Sequence, residues 1–150
     1  MAKLTLSTGS NVGDREFYLA RAGSLLEERL GTIVYRSEVI ETAAWGYTEQ
    51  SPFLNQVLVL EAEVETSGPA IGPDLHRLLD ITQAIEEELG RQRTLKWGPR
   101  TVDIDLIFVD DLRYEDERIS LPHPWWRHRP FVTQLLPPDL MREQGVIGEK

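Results

Sequence analysis

The segment Trp97-Gly98-Pro99-Arg100-Thr101-Val102-Asp103-Ile104-Asp105-Leu106-Ile107-Phe108 constrains this chain more than any other. From Thr101 onward it reads as a β-strand, with Val102, Ile104, Leu106 and Phe108 alternating on one face. Asp103 and Asp105 share the other face, their Cα atoms roughly 6.5–7 Å apart at about 3.3 Å per residue. Aspartate is depleted in strands, so two of them inside an apolar strand need a reason. Like charges this close favour protonation of one partner unless a cation sits between them. A hard divalent ion with oxygen ligands, Mg²⁺ foremost, removes the repulsion and brings phosphates with it. Upstream, Gly98-Pro99 makes a stiff turn, because Pro99 fixes its own φ and restricts the residue before it. That turn places Trp97 and Arg100 beside the carboxylates, the one as an apolar wall, the other as a planar fork suited to phosphate.

An isolated Asp-x-Asp pair is ordinarily a solvated strand edge; the Trp and Arg held directly before it argue for a site. The run from Trp97 to Asp105 resembles the WGPRTxDxD signature of the 6-hydroxymethyl-7,8-dihydropterin pyrophosphokinase family.

At 150 residues the chain suits one domain, residues 1–150. Cysteine is absent, so no disulfide or thiolate metal site can form. No apolar run reaches the length of a membrane span, and the first residues lack a signal-peptide core, so a cytoplasmic protein is expected. A net charge of −9 argues against general nucleic-acid binding, which needs basic surface.

Residues 3–8 read as a first strand, ending at Gly9-Ser10-Asn11, a tight turn that also resembles the family's GSN opening. Asp14 suits a helix cap, Leu19, Ala22, Gly23, Leu26 and Leu30 form an apolar stripe, and Gly31 fits the C′ position. Residues 32–40 read as a second strand and residues 42–53 as a long loop, uncommon without a function. Residues 54–64 form a third strand and 66–73 a connector. A second helix spans 74–89, with Asp74 as its cap and Gly90 as its stop. Glu86 lies on the buried stripe of that helix, where a charge is costly unless paired or working; otherwise it reaches water at a frayed end. The basic run 90–96 is either a solvated loop or a lid. Asp110-Asp111 reads as a turn and 118–121 as a short returning strand. His123, between Pro122 and Pro124, has a preset backbone. His76 and His128 read as surface residues.

The element order is the ferredoxin-like βαββαβ plan of an α+β domain: an antiparallel sheet with helices on one face and additions at the C-terminal end. The resemblance, from Gly9 to Phe131, implies transfer of the diphosphate of ATP to the hydroxymethyl group of 6-hydroxymethyl-7,8-dihydropterin in folate biosynthesis, with AMP leaving. It implies two Mg²⁺ ions on Asp103 and Asp105, and Arg91, Arg93 and Arg100 as catalytic residues. It places Gln83, Glu86, Trp97, Arg100, Arg118, Ser120, His123 and Arg129 beside the nucleotide. It gives Thr42, Trp45, Gly46, Phe53, Asn55 and Phe131 to the pterin, Phe53 standing where a Tyr is often found. The expected partners are these two small molecules, with no nucleic acid or membrane, and the expected state is a monomer. From Arg93 to Trp97 the chain looks one residue shorter than some relatives, and the helix after Phe131 looks trimmed. An RNA-recognition module has the same element order but needs strand aromatics and basic surface. A regulatory module would not explain the acid pair; a phosphoryl transferase with another acceptor would.

Overall fold

The computed structural model describes residues 1–43, 52–90 and 101–143. Its elements run β1 (Ala2–Ser10), α1 (Arg15–Arg29), β2 (Thr32–Arg36), β3 (Ile40–Thr42), β4 (Phe53–Ala62), α2 (Ile71–Glu88) and β5 (Asp103–Val109). Then follow β6 (Tyr114–Glu115), β7 (Ser120–Leu121), a 3₁₀ turn (Trp126–His128), α3 (Pro130–Leu135) and α4 (Pro138–Glu143). The main sheet is antiparallel, in the order β2-β4-β1-β5, with β3 also on β4. This is the expected ferredoxin-like arrangement, and it puts β5 at a sheet edge.

Helix α1 begins where the sequence predicts, Asp14 accepting the N–H of Phe17 at 3.1 Å. Its buried residues Leu25 and Leu26, with Leu75, Leu78 and Ile85 of α2, pack on Leu4, Leu6, Leu58 and Leu60 of the sheet. Gly31 follows the helix as predicted, but for a steric reason: a Cβ there would strike the Glu61 carbonyl oxygen. Gly90, at φ 93°, ends α2 in the left-handed conformation that glycine favours.

Several boundaries differ from the sequence reading: the third strand is Phe53–Ala62 rather than 54–64, Thr42 and Phe53 are strand rather than loop residues, and the acidic strand begins at Asp103 rather than Thr101. The first strand runs on through Gly9 and Ser10, so the tripeptide is a strand end, and the turn falls at Gly13 (φ 69°). The second strand is broken into β2 and β3, because the Ser37 hydroxyl takes the N–H of Val57 (2.8 Å) and interrupts regular pairing along β4. Helix α2 starts at Ile71 rather than Asp74. Pro73 is tolerated because first-turn N–H groups lack intrahelical partners, and Asp74 instead accepts from Glu65 N–H (2.7 Å) and Arg77 (2.7 Å). The returning strand is only Ser120–Leu121, in a hairpin with the unpredicted β6.

A β-bulge changes the face of one core residue. Leu6 pairs with Leu106 but Thr5 pairs with Phe108, leaving Ile107 as the extra residue of β5. Phe108 is therefore turned away from the face of Ile104 and Leu106, contrary to strict alternation. It packs edge-on against Trp126 (4.9 Å between centroids, 81°), together with Val57, Val132, Leu135 and Leu136. The C-terminal additions thus cover part of the sheet face that α1 and α2 leave bare, and Tyr35 donates to the Leu135 carbonyl (2.9 Å) to tie them down.

Candidate active site

The uncovered part of that second face carries the candidate site. Residues directly opposite in antiparallel strands project to the same side. Gly9 on β1 stands opposite Asn55 on β4 and opposite Asp103 on β5. One step on, Ser7 stands opposite Val57 and Asp105. At about 4.8 Å per strand, the Cα atoms of Asn55 and Asp103 lie about 10 Å apart across one bare glycine. A Cβ on Gly9 would come 3.3 Å from both the Asn55 amide oxygen and the Phe53 ring, so glycine lets both settle over the strand. Thr42 pairs with Phe53 and accepts a hydrogen bond from the buried Asn55 amide (2.7 Å), fixing which way that amide points.

At the acidic end, Arg129 immediately before α3 donates to Asp105 Oδ2 at 2.9 Å. This charge-assisted bond sets a guanidinium over one of two neighbouring carboxylates and relieves their repulsion. Phe131, two residues on, is half-buried against the second core cluster. As an edge strand, β5 has N–H groups with no strand to take them. Glu86 of α2 is buried, and its Oε2 accepts the Ile104 N–H at 2.7 Å. Of the two readings for Glu86, the frayed end is excluded: its carboxylate holds the residue between the two aspartates.

A cleft of about 480 Å³ lies off this edge, lined by Gln83, Glu86, Asp103, Asp105, Arg118, Ser120 and His123, with Asp116 beside them. Arg118 donates to Asp80 (2.6 Å) and to the Gln83 amide oxygen (3.3 Å). The Pro-flanked strap carrying His123 is pinned by its N–H to the Ile107 carbonyl (2.9 Å), and the Leu121–Pro122 peptide is cis. Burial pushes the imidazole pKa down, Asp105 opposes this and Arg129 reinforces it. His123 Nδ1 accepts the Trp125 N–H (3.2 Å), so the neutral ring carries its proton on Nε2.

Seven of the predicted residues thus line one cleft, with Arg129 bonded to Asp105, and Thr42, Phe53 and Asn55 adjoin it along the same face. Trp45, Gly46, Arg91, Arg93, Trp97 and Arg100 lie outside the described residues. Sequence reading missed Asp116, and it took His76 for a plain surface residue, whereas His76 Nε2 meets Asp116 at 2.8 Å. The available signal was an Asp two residues before Arg118, the pattern of a side chain that accepts from its own turn. Among the described residues no group of three or more His, Cys, Asp or Glu side chains could hold a metal ion. Two carboxylate oxygens side by side still fit Mg²⁺, which keeps several waters and takes further oxygens from phosphate.

The fold has solved counterparts. A crystal structure of HPPK-DHPS in complex with substrates superposes with a TM-score of 0.72 at 16% identity, over 99% of this chain and 42% of that one. Plasmodium falciparum HPPK-DHPS with SDX-DHP gives 0.67, also at 16%, over 100% and 42%. The chain thus spans about two fifths of these solved chains. Fold and site together define the class: a ferredoxin-like α+β domain whose open sheet face joins an acidic end to an aromatic one.

The family follows from sequence. The model described as 7,8-dihydro-6-hydroxymethylpterin-pyrophosphokinase (HPPK) matches residues 5–138. The 2-amino-4-hydroxy-6-hydroxymethyldihydropteridine pyrophosphokinase of Bacillus subtilis is 41% identical over 128 residues, 85% of this chain and 71% of that protein. The one from Methylorubrum extorquens is 37% identical over 149 residues, 99% and 87%. The chain belongs to the 7,8-dihydro-6-hydroxymethylpterin-pyrophosphokinase family, and its activity is that family's pyrophosphokinase reaction in folate biosynthesis, with ATP as co-substrate.

Proposed function

We propose that the two ends of the open sheet face divide the substrates of this reaction: polyphosphate at Asp103 and Asp105, pterin at Phe53 and Asn55. The observation that carries the reading is the cross-strand row Asn55–Gly9–Asp103, which sets the two ends about 10 Å apart on one face. That span suits a heterocycle whose hydroxymethyl arm reaches a phosphorus atom above the acid pair.

Asp103 and Asp105 would hold two Mg²⁺ ions, which supply charge neutralisation and orientation of the polyphosphate when bound. Arg129, already on Asp105, is placed to follow a phosphate oxygen. His123 offers its Nε2–H, and Arg118, Ser120, Gln83 and Glu86 line the nucleotide part of the cleft. The Asn55 amide, oriented by Thr42, reads the pterin edge, Phe53 stacks on one face of the ring, and Phe131 covers the other. The pterin hydroxyl oxygen then forms a bond to the β-phosphorus as the bond from that phosphorus to the α,β-bridging oxygen breaks. AMP leaves with the bridging oxygen, and the hydroxyl proton passes to solvent. Positioning supplies much of the rate, and no side chain among the described residues stands out as an obligatory general base. Arg91, Arg93 and Arg100 complete the charge stabilisation, with Trp97 at the nucleotide and Trp45 and Gly46 at the pterin, by resemblance to the family signature.

The reading includes one domain over residues 1–150, acting as a monomer in the cytoplasm. No described helix is long and apolar enough to cross a membrane. The test is AMP release from MgATP with and without 6-hydroxymethyl-7,8-dihydropterin. Wild type should release AMP only with the pterin, and Asp103→Asn or Asp105→Asn should lower turnover by several orders of magnitude in a folded protein. Near-normal turnover of either variant at limiting Mg²⁺ would refute the acid-pair assignment.

A further inference from the structure

The hairpin β6–β7 carries Arg118 and Ser120 to the cleft, yet each of its strands is two residues long. A two-stranded hairpin of that size does not hold its own orientation in water. Ile119 and Leu121 pack with α2 in the first core cluster and Arg118 reaches Asp80 and Gln83, but the turn itself is tied to α2 through one carboxylate. Asp116 Oδ1 accepts the N–H of Arg118 (2.8 Å) and of Ile119 (3.0 Å), closing the turn. Asp116 Oδ2 accepts the Tyr114 hydroxyl (2.8 Å) and meets His76 Nε2 of α2 (2.8 Å). The Tyr114 hydroxyl in turn lies against Gly72 in the first turn of α2, where a Cβ would stand 2.7 Å from it. A glycine inside a helix is unfavourable by propensity, and here its missing side chain is the space that the tyrosine occupies.

We propose that Asp116 is a positioning residue for nucleotide recognition: with Tyr114, His76 and Gly72 it fixes the hairpin on α2 so that Arg118 and Ser120 face the cleft. The inference rests on the assignment of that cleft to the nucleotide. It places a side chain that touches no reacting atom in control of two that bind substrate. The backbone N–H of Arg118, followed by the Tyr114 and His76 side chains, keeps the Asp116 carboxyl well below the usual carboxylate range, so it is ionised at working pH and accepts at every position.

The experiment is calorimetric titration with the Mg²⁺ complex of α,β-methylene ATP, and separately with the dihydropterin in its presence, for wild type, Arg118→Ala, Asp116→Asn and Gly72→Ala. Steady-state kinetics and thermal melts accompany it. Asp116→Asn and Gly72→Ala should each weaken nucleotide binding about five- to twentyfold, as expected for the loss of one or two oriented hydrogen bonds. The KM for ATP should rise more than kcat falls, and the KM for the pterin should stay within twofold. Gly72→Ala is the sharper test, since it favours the helix and a merely structural hairpin would not convert that into weaker nucleotide binding. It also remains informative if Asp116→Asn fails to fold. Nucleotide affinity within twofold of wild type in folded Gly72→Ala, while Arg118→Ala binds weakly, overturns the positioning role and leaves the cleft assignment standing. Unchanged affinity in Arg118→Ala overturns both.

Discussion

Removing the Glu86 side chain should loosen the strand that carries the acid pair. Glu86 is 4% exposed, and its Oε2 is 2.7 Å from the N–H of Ile104, itself 6% exposed. Because β5 is an edge strand, that N–H has no neighbouring strand to turn to when the carboxylate is gone. Glu86→Ala forfeits a hydrogen bond to a charged acceptor and strands a buried donor, about 1.5–3 kcal/mol. Loss of the buried methylene adds roughly 0.8 kcal/mol, for a total of about 2–4 kcal/mol. Glu86→Gln keeps an acceptor oxygen and exchanges a charged bond for a neutral one, so it should cost about 1 kcal/mol. The assay is urea unfolding followed by tryptophan fluorescence, Trp126 being packed in the second core cluster. Midpoints should fall in the order wild type, Gln, Ala with a common m value. An Ala variant within 0.5 kcal/mol of wild type, or a Gln variant as unstable as Ala, would refute the reasoning.

Phe131→Ala should weaken pterin binding roughly tenfold or more while MgATP binding is nearly unchanged, on the scale of base–aromatic stacking. Phe53→Tyr should be close to neutral, because it retains the ring face; calorimetry with each substrate decides both, and equal losses for the two substrates in Phe131→Ala would sink the pterin assignment. The lowered pKa of Asp116 has a stability consequence of definite sign. The folded value lies below the ordinary 3.8, so its stabilisation is present above pH 4 and is lost as pH falls toward the folded value. Asp116→Asn should therefore melt below wild type at pH 7, with the difference shrinking as pH drops from 4 to 2. A gap constant over that range contradicts it.

How much of this was legible in the sequence depends on whether a residue's meaning is local. The order of the main strands and helices was legible, because Leu19, Ala22 and Leu26 recur at helical spacing and Leu58, Leu60 and Ala62 alternate. The facing of Phe108 was not. It turns on Ile107 being the bulged residue, a fact of pairing between β5 and β1 that no property of either strand alone discloses. The break at Ser37 has the same character: a serine between Arg36 and Glu38 becomes an interruption only when Val57 presents an N–H to it. Pro73 misled in the opposite direction, because proline ends helices from within but suits their first turn.

The site divides along the same line. Asp103 and Asp105 stood out because aspartate inside an apolar strand contradicts local propensity, and Glu86 because a charge on a buried helical stripe does. Tyr114, Asp116, His76 and Gly72 contradict nothing where they stand. Each is ordinary in a hairpin or a helix, and their roles arise only when the hairpin lies on α2. The bond between Arg129 and Asp105 is the intermediate case, since both residues were legible as parts of a site but not as partners of one another. That partnership has a physical consequence. Two carboxylates one strand repeat apart repel, and a guanidinium at 2.9 Å from one of them offsets part of that repulsion. Under the proposed assignment of this end to polyphosphate, the same guanidinium is already within reach of the phosphate, so the charge arrangement of the free protein would anticipate that of the loaded one, with little reorganisation left to the reacting complex.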